Sequence, residues 1–541
     1  MSDKQQRWDA EQRAASFAAL DRQWDLLVIG GGITGAGIAL EAARLGLKVL
    51  LVEAKDFAWG TSSRSSKMVH GGVRYLANLQ FGTTITSVHE RDRLLRDASG
   101  LVNPLEFVVP IYERDRAVSM QLRVGLWIYD HLSSTHEVCT HDPAAMAARF
   151  PGIQSDGLRG GWSYTDAETD DSRLVLRVLR EAGRAGATVL NYAAASGLIR
   201  ESGRVCGAHV TDLLTGEVAS PRARVVVNAT GVWVDELRAK LGRPPKMRPL
   251  RGSHLVFARE LLPVSAAMLF RKPDDGRFVY IYPWQGATLV GTTDLDHRQD
   301  LACEPRITAD ELDYLLRSVA DAFPKTKLGP DDVLSTFAGI RPVIADGESD
   351  PSKATREHAV WLEEGLCTVT GGKLTTFRQI ALDTLRKLRP DLPEIPRLPR
   401  NTPIFAPPPI ALGRRIAEAT GAASTPERSL RLLGRYGADV AALLDAAATD
   451  EMTEIPGTDT LWAELRFAAR SEAVVHLSDL LLRRSRVGLL LARGGEAILP
   501  RVQSICAHEL GWNSAKWESE ARAYADLWRS CYSLPADSSP P

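Results

Sequence analysis

The chain has 541 residues, of which 44% are hydrophobic and 25% charged, as is ordinary for a globular protein with several domains. Its 66 basic and 67 acidic residues give a net charge of -1, which argues against a nucleic-acid-binding protein. The six cysteines form no Cys-x-x-Cys pair and the histidines follow no metal-site spacing, so we predict no metal site and a reducing compartment.

The N-terminal segment, Met1 to Leu20, is polar and carries charges of both signs, and it lacks the apolar core of a secretory signal. No apolar run elsewhere approaches the ~18 residues that cross a bilayer. We therefore expect a cytoplasmic protein with an N-terminal extension over residues 1–22.

An apolar strand then runs into three spaced glycines, Asp25-Leu-Leu-Val-Ile-Gly-Gly-Gly-Ile-Thr-Gly35. Gly30 lets the chain turn, Gly32 lets the backbone approach a pyrophosphate, and Gly35 lets the next helix pack on the strand. A second strand ends at Glu53, which can accept hydrogen bonds from a ribose. This context predicts a dinucleotide cofactor and leaves NAD and FAD both open.

A hydroxyl-rich segment follows, Thr61-Ser-Ser-Arg-Ser-Ser-Lys67, at a predicted helix start. Its hydroxyls and backbone N–H groups can bind a second polar part of a ligand, but the composition is equally typical of a capped loop. Further along, residues 224–228 are a buried strand that enters a glycine turn, and we predict it as another strand of the cofactor domain.

The pattern changes at residues 250–293, where β-rich pieces broken by Gly and Pro predict an inserted antiparallel sheet. A strand, turn and helix return at 366–388. Proline and short irregular pieces make 391–409 the clearest linker, and the composition beyond it is helical. The predicted fold class is α/β, with a doubly wound cofactor domain, an inserted antiparallel sheet and a separate helical domain over 410–541.

Five residues in these segments suit the oxidation of a small alcohol or amine: a candidate base, His254, and the cations Arg74, Arg341, Arg356 and Lys373. Taken singly, a histidine on a strand is usually structural and an arginine in a loop is usually solvated. Spacing does not show that the five converge, so the residues alone leave the substrate open.

Blocks of the chain resemble, in order, the FAD-dependent glycerol-3-phosphate dehydrogenases, over about residues 24–390 and again in the helical tail. The most specific blocks are Thr61-Ser-Ser-Arg-Ser-Ser-Lys-Met-Val-His-Gly-Gly-Val-Arg-Tyr-Leu76 and Gly371-Gly-Lys-Leu-Thr-Thr-Phe-Arg378. Phe377 departs from the pattern, because a tyrosine is expected there. The other matching blocks are residues 30–38, 166–174, 228–231, 251–254, 282–284, 291–294 and 339–342.

The resemblance implies a flavin domain of glutathione-reductase type with a substrate sheet inserted in it. The flavin-binding parts would be about residues 23–100, 160–245 and 335–390, and the substrate-sheet insertions about residues 101–159 and 246–334, within a unit over 23–390.

The resemblance also implies roles for individual residues. Arg74 and Arg356, with Tyr75, would bind the substrate, whose phosphate suits arginine forks. Arg341 would bind near the reacting hydroxyl and the flavin, and His254 would be the general base.

The implied cofactor is FAD, and Lys373 would complete the catalytic set with His254 and Arg341. A positive group at the flavin's pyrimidine end would stabilise the reduced anion. The implied cofactor-binding residues are Gly30, Gly32, Gly35, Glu53, Thr61, Ser62, Ser65, Ser66, Lys67, Gly231, Gly372, Lys373, Leu374 and Thr375.

The implied reaction is the oxidation of sn-glycerol 3-phosphate to dihydroxyacetone phosphate, with hydride passing to flavin N5 and electrons going on to a membrane quinone. That acceptor implies peripheral contact with the inner face of the cell membrane, for which residues 122–129 and 483–491 are candidate segments. A homodimer is one assembly left open. The alternatives are an oxidase using O₂, an amino- or hydroxy-acid oxidoreductase, and a flavin-binding module without turnover.

Overall fold

The computed structural model describes residues 7–72, 81–132, 138–345, 357–396, 402–421 and 425–535. The strands in these ranges are, in chain order, β1 (Gln23–Ile29), β2 (Val49–Val52), β3 (Met68–Val69), β4 (Val102–Tyr112), β5 (Cys139–His141), β6 (Leu158–Thr169), β7 (Thr188–Leu190), β8 (Ala193–Glu201), β9 (Arg204–Asp212), β10 (Val218–Ala219), β11 (Arg222–Asn228), β12 (Met247–Ala258), β13 (Ala267–Arg271), β14 (Phe278–Trp284), β15 (Ala287–Gly291), β16 (Leu295–Asp296), β17 (Val333–Ile344), β18 (His358–Glu363) and β19 (Leu366–Gly371).

The α-helices are, in the same order, α1 (Ala10–Ala18), α2 (Ile33–Arg44), α3 (Phe81–Asp97), α4 (Arg116–Leu132), α5 (Pro143–Arg149), α6 (Asp171–Arg184), α7 (Val234–Ala239), α8 (Ala309–Ala322), α9 (Phe377–Leu388), α10 (Ile410–Thr420), α11 (Pro426–Tyr436), α12 (Val440–Ala446), α13 (Trp462–Ser471), α14 (Leu477–Asp479), α15 (Val487–Leu490), α16 (Leu499–Leu510) and α17 (Ser514–Cys531).

The first sheet has a parallel centre in the order β7-β2-β1-β11-β19. Successive residues of β1 enter different cores: Leu26 and Val28 belong to one buried cluster, and Leu27 and Ile29 to another. Both faces of the sheet are therefore covered, which explains why its central strands are apolar throughout. This is the predicted doubly wound domain, and residues 224–228 belong to its strand β11 as expected.

The second sheet runs β16-β12-β15-β14-β13-β4-β6-β3, with β17 paired to β12 and β5 to β6. Its pairs are antiparallel except for β13 with β4, which are parallel. The predicted α/β fold with an inserted, largely antiparallel sheet is confirmed.

Two strands lie in the other sheet from the predicted one. β6 pairs with β4 along nearly its whole length, and β17 pairs with β12 in the same way. The predicted flavin-binding parts at 160–245 and 335–390 therefore each begin with a strand of the second sheet, while the strands that follow belong to the first, and their bounds stay a prediction. The predicted boundaries came from the positions of the motifs. The sheet to which a strand belongs depends instead on its pairing with strands far away in the sequence.

The C-terminal helical part shares a core with the second sheet. Leu481 and Val487 lie in the same buried cluster as Trp284 and Phe337. The predicted linker is also partly packed, because Ile404 is buried in the core of the first sheet. The helical part is thus a continuation of the folded body, not a loosely attached unit.

One candidate membrane segment lies in the interior. Residues 483–490 are buried and Leu491 is partly buried, and the buried side chains include those of Arg483, Arg484 and Arg486. The prediction that this segment is a membrane contact is wrong, because its basic side chains pair with the buried carboxylates of Asp56 and Asp171.

Candidate active site

The turn after β1 contains three spaced glycines. The fold requires Gly30 and Gly35, whereas Gly32 leaves space in which a ligand could lie. Gly30 has φ +117°, and a Cβ on it would lie 2.5 Å from Ala229 O. A Cβ on Gly35 would lie 1.9 Å from Gly30 O, so helix and strand approach too closely for any side chain. A Cβ on Gly32 would meet only Ser62 Oγ, at 3.2 Å. The space beside Gly32, at the start of α2, suits a pyrophosphate.

Glu53 braces this turn from the end of β2. Its Oε2 accepts a hydrogen bond from Gly31 N at 2.7 Å, and its Oε1 accepts one from Lys55 N at 2.8 Å. Burial raises the pKa of Glu53 in spite of these bonds. Each carboxylate oxygen keeps a further lone pair, as the predicted ribose contact requires.

The Thr61–Lys67 loop, which holds the predicted hydroxyl cluster, joins the two sheets. Thr61 Oγ1 donates to Ile340 O in β17 at 2.5 Å. Ser62 Oγ accepts from Ile33 N at 3.0 Å, which places this hydroxyl at the N-terminus of α2. The loop therefore lies beside the space at Gly32, where hydroxyls can contact a cofactor phosphate.

The end of the loop is fixed by a buried carboxylate. Asp171 Oδ2 accepts from Ser65 N at 2.9 Å and from Ser65 Oγ at 2.8 Å, and Lys67 Nζ lies 3.1 Å from Asp171 Oδ1. Burial and the neighbouring Arg486 lower the pKa of Lys67 to about 8, against the opposing effect of Asp171. The Lys67 side chain is fully buried and Nζ also donates to Ser63 O at 3.2 Å, so the structure favours a positioning task for Lys67 over the predicted direct contact.

His254 lies on β12 at the inner side of the loop. Its Nε2 is 2.9 Å from Ser66 Oγ, and its ring stacks on Phe337 with centroids 4.6 Å apart. Nδ1 is buried and has no hydrogen-bond partner among the described residues. Burial, with Lys67 and Arg341 nearby, lowers the pKa of His254 well below 6.5. The imidazole is therefore neutral at neutral pH, as a general base must be.

Arg341 shares this face of the second sheet. Its Nη1 is 2.5 Å from Asp294 Oδ1, and its Nη2 donates to Thr292 Oγ1 at 3.0 Å. A Cβ on Gly252 would lie 2.5 Å from Arg341 Nη2, so the guanidinium crosses β12 two residues before His254. The predicted catalytic pair thus lies together, with Asp294 orienting the arginine.

A second group of predicted residues follows β19. Gly372 has φ +73°, and Lys373 Nζ donates to Ser87 Oγ at 3.0 Å. Thr375 Oγ1 accepts from His70 N at 3.2 Å, which joins this turn to the chain that leaves the loop. The predicted Leu374 lies in the same turn, and Gly231 accepts from Thr370 in β19.

Three predicted substrate residues, Arg74, Tyr75 and Arg356, lie outside the described residues. Sequence reasoning missed Asp294 and Asp171, whose contacts cross 47 and 104 or more residues. It also passed over His70, although this histidine is part of the most specific block. His70 is partly exposed and beside Thr375, so it is a second candidate base.

These residues fit a flavin dinucleotide. The space beside Gly32 would take the pyrophosphate, and the unpartnered Nδ1 of His254 shows that a polar group is buried at the junction of the sheets without a protein partner among the described residues. The residues that would hold the group come from both sheets.

Two family models match the chain. The model for FAD dependent oxidoreductases matches residues 25–378, and the model for the C-terminal domain of alpha-glycerophosphate oxidase matches residues 411–517.

Similar proteins and a similar solved structure agree with these models. The chain is 38% identical over 539 residues to glycerol-3-phosphate dehydrogenase 2 of Mycobacterium tuberculosis, which covers 95% of this chain and 89% of that protein. It is 33% identical over 488 residues to the aerobic glycerol-3-phosphate dehydrogenase of Staphylococcus haemolyticus, covering 86% and 87%. The X-ray structure of the glycerol-3-phosphate dehydrogenase from Bacillus halodurans complexed with FAD matches with a TM-score of 0.75 at 29% identity, covering 96% of this chain and 98% of that one.

Proposed function

The chain belongs to the glycerol-3-phosphate dehydrogenase family of FAD-dependent oxidoreductases, and we propose that it oxidises sn-glycerol 3-phosphate to dihydroxyacetone phosphate. The observation that carries this proposal is the pairing of a neutral, buried His254 with Arg341 on one face of β12, beside the Thr61–Lys67 loop. An alcohol oxidation needs a base and a cation at the place where the cofactor lies.

The residues divide the work between proton transfer and orientation. FAD, when bound, would be the two-electron oxidant and would accept at N5 the hydride that leaves C2 of the substrate. His254 takes the proton of the C2 hydroxyl at Nδ1, the nitrogen without a partner among the described residues, and Ser66 Oγ, 2.9 Å from Nε2, holds the imidazole in place. Arg341, oriented by Asp294, presents its guanidinium to the anionic substrate.

Anaerobic titration of the purified protein with glycerol 3-phosphate tests the proposal. We expect full bleaching of the flavin absorbance at one equivalent of substrate, and no bleaching with glycerol, which lacks the phosphate. A flavin that stays oxidised with glycerol 3-phosphate but is reduced by an amino or hydroxy acid would overturn the substrate. A flavin that no such compound reduces would identify a module without turnover.

Arg341→Ala is expected to lower kcat/KM for glycerol 3-phosphate about 30- to 1,000-fold, because a charge-assisted contact to an anionic substrate is lost. Steady-state kinetics and the melting temperature measure this effect. Arg271→Ala is the matched control, since Arg271 pairs with Asp115 at 2.9 Å in the same sheet. Normal kinetics in Arg341→Ala would contradict the role, and an equal loss in both variants would indicate that Arg341 is only structural.

We further propose that the electrons pass to a quinone and that the protein contacts the inner face of the cell membrane through α4. Met120, Val124 and Trp127 lie on one side of this helix and are 63%, 54% and 62% exposed. The spacing of three to four residues aligns them on one face, as in helices that lie in a membrane interface. None of the helices in the described ranges is both long enough and apolar enough to cross a bilayer. We also propose a cytoplasmic location and a homodimer.

The protein is expected to co-sediment with anionic liposomes and to turn over faster with a quinone than with O₂. Trp127→Glu should weaken liposome binding about tenfold or more, because a large apolar side chain no longer enters the interface. Binding through this face should resist salt and yield to detergent. Leu213→Glu is the control, since Leu213 is 52% exposed on another part of the molecule. A protein that ignores liposomes and reduces O₂ at full speed would be a soluble oxidase.

A further inference from the structure

Three arginines of the helical part, residues 410–541, contact the cofactor half of the molecule, by which we mean residues 23–390. This arginine cluster consists of Arg483, Arg484 and Arg486, whose side chains are at most 2% exposed. Buried guanidinium groups require carboxylate or carbonyl partners. The cluster pairs with Asp56, Asp170, Asp171 and Asp479, and two of these, Asp56 and Asp171, adjoin segments predicted to bind FAD.

Arg486 holds the Thr61–Lys67 loop from behind. Its Nη2 donates to Ser63 O at 2.7 Å and to Asp171 Oδ1 at 2.9 Å. Asp171 in turn accepts from Ser65 and Lys67, so one guanidinium joins Asp171 to the middle of the loop. Other residues of the same loop make the contacts with α2 and with His254: Ser62 with Ile33 N, and Ser66 with His254.

The other two arginines hold the segment that follows β2. Arg483 Nε lies 2.5 Å from Asp56 Oδ2, and Arg484 donates to both carboxylate oxygens at 2.6 and 2.7 Å. Burial alone would raise the pKa of Asp56, but Arg484 and Arg483 lower it to about 2. Asp56 is three residues beyond Glu53, the predicted ribose ligand, and remains ionised beside it.

Other contacts join the two halves without touching either segment. Arg180 in α6 pairs with Asp439 at 2.9 Å, and Arg173 in the same helix forms a bidentate ion pair with Glu472. Ion pairs elsewhere along α6 therefore hold the two halves together. The contacts of Arg486 with Ser63 and Asp171 are additional, and they fall on the residues that shape the cofactor loop.

We propose that Arg486 is a positioning residue for FAD and that the helical part, through this arginine, keeps the Thr61–Lys67 loop in its cofactor-binding conformation. One expected effect, slower flavin reduction, rests on the proposed function, because Ser66 of the same loop holds His254. The other expected effect, weaker FAD binding, depends only on the conformation of the loop. Ser62 at the start of α2 and Ser66 at His254 would shift together if the loop were released.

Arg486→Met and Arg180→Met form a matched pair. Each removes a buried arginine that joins the two halves and leaves an aspartate that keeps one ion pair: Asp171 with Lys67, and Asp439 with Arg184. The dissociation constant of FAD and the visible spectrum of the bound flavin are measured without substrate. The melting temperature of each apoprotein reports the loss of stability.

Arg486→Met is expected to weaken FAD binding at least about tenfold and to alter the flavin spectrum, because the loop loses the charge-assisted bond to Ser63 O, and Asp171, which holds Ser65, loses one of its cations. Arg180→Met should keep FAD affinity within about twofold of wild type at a similar loss of melting temperature. Arg486→Lys should restore binding in part, since an ammonium lacks the fork that reaches Ser63 O and Asp171 together. If Arg486→Met does not fold, the milder Arg486→Lys decides, with a weakening of about threefold or more expected.

Wild-type FAD affinity in the Arg486 variants, or equal weakening in Arg486→Met and Arg180→Met, would overturn the inference. Failure of the proposed function has a different signature. In that case glycerol 3-phosphate would not bleach even the wild-type flavin, while the affinity difference between the two variants would remain.

Discussion

Replacing Gly32 with valine is expected to give a protein that folds and carries no FAD. The backbone at Gly32 has φ -81° and ψ -177°, an extended conformation that valine adopts readily. In the protein itself, a Cβ at this position meets only Ser62 Oγ, at 3.2 Å. The side chain would instead occupy the space at the start of α2 where a pyrophosphate approaches the backbone.

Gly32 separates cofactor binding from folding better than its neighbours do. A Cβ on Gly35 would lie 1.9 Å from Gly30 O, and Gly30 itself has φ +117°. Substitutions at those two positions would distort the turn with or without a cofactor. Loss of flavin from such variants would therefore say little about the site.

The ratio of flavin to protein absorbance after purification measures the effect, and circular dichroism with the melting temperature checks the fold against wild-type apoprotein. Gly413→Val is a control, because a Cβ at this helical position meets nothing within 4 Å. We expect Gly413→Val to keep its FAD. A Gly32→Val protein with full flavin content would show that the cofactor lies elsewhere.

The parts of the fold that sequence predicted well are those determined by near neighbours. The turn between β1 and α2 depends on an apolar strand and on glycines within six residues, so its pattern is visible in a short segment. The sheet to which β17 belongs depends on pairing with β12, from Phe257 with Val333 to Met247 with Ile344, and the sequence prediction did not place β17 in that sheet. Long-range pairing leaves no local signal that a single sequence could reveal.

The candidate site follows the same division. Lys67 has the residue type and place of a ligand contact, and its buried partner Asp171 lies 104 residues further on. Residues 483–491 combine basic and apolar side chains as a membrane contact does, and their partner Asp56 lies more than 420 residues back. In both cases the sequence shows the basic residue but does not show which distant carboxylate it pairs with. His254 and Arg341 were candidates by residue type alone, and their specific roles came from the resemblance, because no spacing rule connects them.

His254→Asn is expected to slow flavin reduction by glycerol 3-phosphate by about 10²- to 10⁴-fold while FAD stays bound. Asparagine keeps a polar group near Ser66 Oγ but has no basic nitrogen that could take the hydroxyl proton. The pKa of His254 lies well below 6.5 because the ring is buried and near Lys67 and Arg341. The base therefore stays unprotonated as the pH falls through 6.5, and the reduction rate should not decline there through its titration.

Rapid mixing of oxidised enzyme with substrate under anaerobic conditions measures the reduction rate directly. Ser66→Ala tests whether the hydrogen bond or the imidazole matters, and we expect a loss of less than about tenfold, since the ring also stacks on Phe337. His70→Asn is the decisive comparison, because His70 is the other histidine next to the predicted flavin turn. A small effect of His254→Asn together with a large effect of His70→Asn would move the base to His70. His254 would then be a buried residue that supports the loop through Ser66, and the proton would leave the substrate on the side of Thr375.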